Sequence, residues 1–114
     1  MFDTEALRRG IEHRDADALL ALYAPDAEYL VVDRDNPPSK PLSLRGRDAI
    51  GAYLRDVCGR DMTHRLTHVV ADAEQAAFLQ SCAYPDETRV LCAAVLELRD
   101  GRIVRQTGVQ AWDA

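Results

Sequence analysis

The stretch Asp15–Asp33, DADALLALYAPDAEYLVVD, decides how the chain folds. Asp15 is a helix-capping residue, and Leu19, Leu20, Leu22 and Tyr23 follow at helical spacing. Ala24-Pro25 predicts the end of that helix, because a residue before proline is pushed out of the helical region. Asp26 marks a turn, and Glu28–Asp33 becomes extended and β-rich.

Upstream, Asp3 or Thr4 caps a first helix that is expected to run to about Arg14. Leu7 and Ile11 form its inward face with Ala6, and Gly10 permits a close neighbour. His13 reads as a solvated helix-end histidine. Downstream, Pro37, Pro38 and Pro41 mark an irregular connection, with a short strand possible over Leu42–Arg45. The third helix opens at Gly46. Its apolar stripe is Ile50, Tyr53, Leu54, Val57 and Cys58, and Gly59 terminates it.

Everything after Gly59 reads as sheet. Met62–Asp72, Gln75–Pro85, Thr88–Arg99 and Arg102–Trp112 are β-rich runs joined by short turns, which implies an antiparallel meander. Asp100-Gly101 is the strongest hairpin signal and pairs Leu98 with Ile103. That pairing puts Gln106 on the other face from Ile103 unless a bulge intervenes. A three-residue Asp86–Thr88 loop would make Cys82 and Cys92 cross-strand neighbours, whereas a two-residue loop would separate them onto opposite faces. Both are treated as core thiols.

The chain has 114 residues, 47% hydrophobic and 29% charged, enough for one domain over 1–114 with its own core. A net charge of −5 argues against nucleic acid or an anionic membrane as a partner. No run is long enough to span a membrane, and the N-terminus does not read as a signal peptide. Three cysteines without a CxxC spacing suggest reduced thiols and a cytoplasmic location.

A short helix, then Leu-Tyr-Ala-Pro-Asp-Ala, then a strand resembles the entry to the nuclear transport factor 2-like fold, in its SnoaL-like and scytalone dehydratase-like branches. The resemblance implies an α+β cone, with three N-terminal helices packed on a strongly curved antiparallel sheet. It also implies a homodimer, through the outer face of that sheet. Thr63-His64-x-Leu66 resembles the family's histidine strand, which makes His64 the expected acid or base. Setting Asp15-Ala16-Asp17 against the acidic turn after the family's first helix puts Glu12 at the assisting acidic position. A carboxylate beside an imidazole would raise its pKa and fix its tautomer.

By alternation His64, Leu66, His68 and Val70 share one face, so His68 joins the candidate lining residues. Tyr29, Val31, Phe78, Gln80, Tyr84 and Gln106 complete that set, although Phe78 is better explained as core. Ketosteroid isomerase chemistry is not expected, because that branch's catalytic positions fall on Val31, Leu7 and Ala94. His64 and His68 are about 13 Å apart along a strand, too far to share a metal ion, and no third ligand follows at a recognisable spacing. No metal or cofactor is expected.

The expected function is binding of a small, largely apolar organic molecule. Turnover by cofactor-free acid–base chemistry would make the protein a lyase or an isomerase, with His64 moving the proton and Glu12 orienting it. The alternative is a non-catalytic ligand-binding or assembly module, favoured if Glu12 and His64 do not meet.

Overall fold

The computed structural model describes residues 1–114. Helix α1 spans Thr4–Glu12, with the Asp3 carboxylate accepting from Ala6 N. Helix α2 is a short Ala16–Leu20, capped by Asp15 through Ala18 N. Gly10 is where the two helices touch: a Cβ there would lie 2.6 Å from Leu19 Cδ2. Strand β1 covers Tyr23–Val32, β2 Leu42–Arg45, and helix α3 Gly46–Cys58. The remaining strands are β3 (Thr63–Ala71), β4 (Gln75–Ala83), β5 (Arg89–Arg99) and β6 (Arg102–Trp112).

The six strands form one sheet in the order β2-β1-β6-β5-β4-β3. The four late strands make the expected antiparallel meander. One pair departs from an all-antiparallel sheet: β1 runs parallel to β6, so the sheet is mixed. The chain enters β1 after two helices rather than through a hairpin, so nothing forces an antiparallel partner on it.

The first strand also begins earlier than Pro25 suggests. Helix α2 stops at Leu20, and Ile103 N donates to Leu22 O at 2.9 Å, drawing the chain into the sheet at Tyr23. Pro25 then occupies an irregular stretch between Tyr23 and Glu28, where a missing N–H costs no ladder bond.

Helix α1 packs on β3, at one edge of the sheet, while α3 packs on β1 and β2 towards the other, and α2 bridges the helices. The sheet therefore wraps the helical layer, with the core in the concavity. Leu96, Ile103, Ile50 and Ala27 are fully excluded from solvent there.

Two bulges decide which side chains face inward. Between Glu97 and Leu98 the β5–β6 register shifts, so Gln106 lies opposite Leu96 and turns inward with Ile103. Between Leu66 and His68 the β3–β4 register also shifts. Leu66 is buried, Val69 is the next inward residue, and His68 and Val70 face solvent. The Asp100-Gly101 turn carries positive φ at both residues, 52° and 76°, as a tight hairpin requires.

Candidate functional site

The concavity holds a cavity of about 100 Å³, lined by 21 residues of which 16 are hydrophobic. Its walls come from α1, α2, α3 and the inward faces of β1 and β3–β6. Tyr29, Phe78, Gln80, Tyr84 and Gln106 all line it, and so does His64.

His64 and Cys82 face each other across β3 and β4, and His64 Nδ1 lies 3.1 Å from Cys82 Sγ. The Cys82 thiol can donate to Gln80 Oε1 at 3.4 Å. In the tautomer that donates Nδ1–H to sulfur, the thiol hydrogen goes to Gln80. Nε2 is then a bare lone pair, buried and without a partner. Burial pushes the His64 pKa below its ordinary 6.5; nearby Gln80 partly opposes this, and the positive charges of Arg14 and Arg60 reinforce it. The imidazole is neutral at neutral pH.

The tyrosines supply protons rather than charge. Burial pushes Tyr29 well above its ordinary value and raises Tyr53. Tyr23 spends its hydroxyl on Gln106 Oε1, satisfying the one buried polar side chain of the inner face. Arg60 is the only permanent charge in the lining, and no aspartate or glutamate lines the cavity. It is anchored by Asp56 at 2.7 Å and reaches the Tyr84 hydroxyl at 3.2 Å. Among all side chains, no cluster of three or more His, Cys, Asp or Glu residues could hold a metal ion.

The model of the SnoaL-like domain family matches residues 4–106. This chain belongs to the SnoaL-like domain family. Solved structures with the same fold include a candidate ketosteroid isomerase from Kribbella flavida, 22% identical with a TM-score of 0.77, covering 97% of this chain and 75% of that one. An NTF2-like protein of unknown function from Mesorhizobium loti is 20% identical with a TM-score of 0.78, covering 95% and 89%. A protein with a ketosteroid isomerase-like fold from Catenulispora acidiphila, in complex with trimethylamine, is 17% identical with a TM-score of 0.69, covering 92% and 82%. No curated protein matches the chain.

Three expected site residues of this SnoaL-like domain lie elsewhere. Glu12 does not reach His64. Its Oε2 accepts from Leu66 N at 3.0 Å and lies 3.7 Å from Arg8 Nη1, while Arg8 donates to Leu66 O at 2.7 Å. Strand β3 is the sheet edge, so the outward N–H and C=O of Leu66 lack a neighbouring strand, and α1 satisfies both. The acid near the end of α1 is thus a clamp between helix and sheet. Replacing Glu12 with alanine is expected to cost about 1–2 kcal/mol in urea unfolding. It should leave the cavity's ligand response intact; loss of that response would restore Glu12 to the site.

His68 is turned outward by the β3 bulge and touches only Thr67 Oγ1, at 3.2 Å. Val31 is 2% exposed but lies beyond the cavity, opposite Leu42 where β1 meets β2. Conversely, the thiol contacts of His64 were not anticipated. The loop after β4 places Cys82 opposite Val90 and Cys92 opposite Gln80, so the two thiols share a face one pair apart. Arg60 and Trp112 also join the lining from positions that no motif marked.

Proposed function

We propose that this SnoaL-like domain binds a small, largely apolar organic molecule in the cone and acts on it by cofactor-free proton transfer. His64 is the general base, and Cys82 takes the orienting role first expected of Glu12. The observation that carries this reading is the neutral imidazole whose Nε2 is buried without a partner in a mostly apolar cavity. A base with a depressed pKa stays unprotonated at neutral pH, so its lone pair is available to accept a substrate proton. Protonated Tyr29 and Tyr53 can donate to the oxygen on which negative charge develops. Abstraction of a proton α to a carbonyl, leading to isomerisation or dehydration, uses this set of groups fully.

A dry apolar cavity of about 150 Å³ takes up benzene. The volume here, about 100 Å³, therefore suits a small ring or branched chain, with polar substituents towards Arg60 and Tyr84. The trimethylamine held by the Catenulispora acidiphila protein is of comparable scale. Tyr29, Phe78, Gln80, Tyr84 and Gln106 are the proposed ligand contacts. Trp112 is the chain's single tryptophan and lines the cavity, so its fluorescence reports occupancy. Titration with small cyclic ketones should change its emission saturably; no response to any of them would count against the site.

The missing Glu12–His64 contact favours the second reading, that of a binding module without turnover: no carboxylate stands beside His64. Binding without any isotope exchange on the ligand would select it.

The outer face of the sheet supports a homodimer. Val70 on β3, Leu91 and Val95 on β5 and Val109 on β6 are 69%, 48%, 52% and 51% exposed. An apolar patch of this kind on one sheet face is suited to a second copy. Light scattering at micromolar concentration should give twice the chain mass of 12.7 kDa, and a monomer would refute the proposal. No helix is long and apolar enough to cross a membrane; cytoplasmic residence is part of the proposal.

A further inference from the structure

The cavity is walled by buried apolar side chains at one end and reaches solvent at the other. Leu7, Ile11 and Leu19 of the helices are buried, whereas Arg60, Tyr84 and Trp112 are only partly so. Those three stand where α3, β4 and β6 end. Arg60 Nη2 bonds Asp56 Oδ2 at 2.7 Å, and Arg60 Nη1 donates to the Tyr84 hydroxyl at 3.2 Å. The Tyr84 ring stacks on Trp112 at 5.9 Å between centroids, and the Arg34 guanidinium carbon lies 4.0 Å from the indole centre. Arg14 reaches the same end and donates to the Arg60 carbonyl. A chain of net charge −5 thus gathers Arg14, Arg34 and Arg60 at the mouth of its cavity.

The acids nearby do not cancel them. Asp33 Oδ1 is occupied by the N–H groups of Asp35 and Asn36 in its own turn. The Asp56 side chain is 64% exposed, and its i,i+4 pair with Arg60 is of the kind that solvent screens. It holds the guanidinium in place without closing it off. The guanidinium carries further N–H donors beyond these contacts, and the Tyr84 oxygen accepts from Arg60 while keeping its own hydrogen to give.

We infer that the ligand of the cone is a small carboxylic acid, its carboxylate held at the mouth by Arg60 and Tyr84 and its apolar part lying inside. The inference rests on the cone being a small-molecule site and names the class of molecule. A carboxylate accepts from both groups through charge-assisted bonds, the strongest that these side chains can make. A cationic ligand would meet the arginines instead, and a neutral one would leave these donors unused. The carboxylate takes no part in the chemistry. It fixes the direction in which the molecule enters, so that a ketone further along it is presented to His64, which lines the same cavity.

The test compares 3-oxocyclohexanecarboxylate, its methyl ester and cyclohexanone by Trp112 emission and calorimetry at neutral pH. The acid should bind about tenfold or more tightly than the ester, which has the same ring but no charge. Arg60→Met should abolish that preference, and Arg60→Lys should keep only part of it, because lysine retains the charge without the planar fork. The wild type gives an independent reading: raising the ionic strength from about 0.02 M to about 0.5 M should weaken the acid several-fold and the ester little. An acid that binds no more tightly than its ester, or a preference that survives in Arg60→Met, overturns the inference. Binding of cyclohexanone and the ester without any gain from the acid leaves the apolar site standing and refutes only its anchor. No response to any of the three refutes the site itself.

Discussion

Replacement of His64 by glutamine is expected to slow deuterium exchange at the α-carbon of a bound cyclic ketone by roughly 10²–10⁴-fold. Glutamine keeps a polar side chain of similar reach but has no basic lone pair. Trp112 fluorescence should still report binding, so the loss would fall on the rate and not on affinity. In the wild type the exchange rate should rise with pH through an inflection below 6.5, because burial depresses the His64 pKa. The sign for stability follows from the same shift. The unfolded chain takes up a proton near 6.5 while the folded imidazole resists it, so the contribution is fully present above 6.5. It is lost as the pH falls through the folded value. His64→Gln should remove that acid-side dependence, and an unchanged exchange rate in the variant would exclude His64 as the base.

Leu96→Ala carries the largest expected stability cost. Leu96 is fully buried on β5 between Ala76 of β4 and Gln106 of β6. Truncation removes three buried carbon groups and opens a void that the curved sheet cannot close by itself. A loss of about 3–4 kcal/mol is expected in urea unfolding. For a domain of this size that lowers the melting temperature by roughly 15 °C. A loss below about 1 kcal/mol would mean that the concavity is not the packed core.

Much of this architecture is legible in the residues because local signals and burial agree. The Ile50–Cys58 stripe, the Asp3 and Asp15 caps and the Asp100-Gly101 turn each point to one conformation, and each is found. What escapes is set by register. The bulges after Leu66 and before Leu98 carry no distinctive residue, yet they turn His68 outward and Gln106 inward. The parallel pairing of β1 with β6 depends on where two helices deliver the chain, which no local pattern records. Glu12 misleads for a similar reason. An acid near the end of a helix is compatible with a catalytic partner, but the unpaired edge of β3 claims it. His64 is identifiable from its strand, whereas its thiol partner depends on the β3–β4 register, which shifts at the bulge after Leu66.

The central claim is that a neutral imidazole with a free nitrogen stands in the ligand cavity. Its most direct test is an NMR pH titration of the His64 ring, free and with saturating cyclohexanone. The expected result is a midpoint below 6.5 in the free protein and a further change in the ring signals when the ketone is bound. A midpoint above 6.5, or ring signals indifferent to a ketone that alters Trp112 emission, would contradict it.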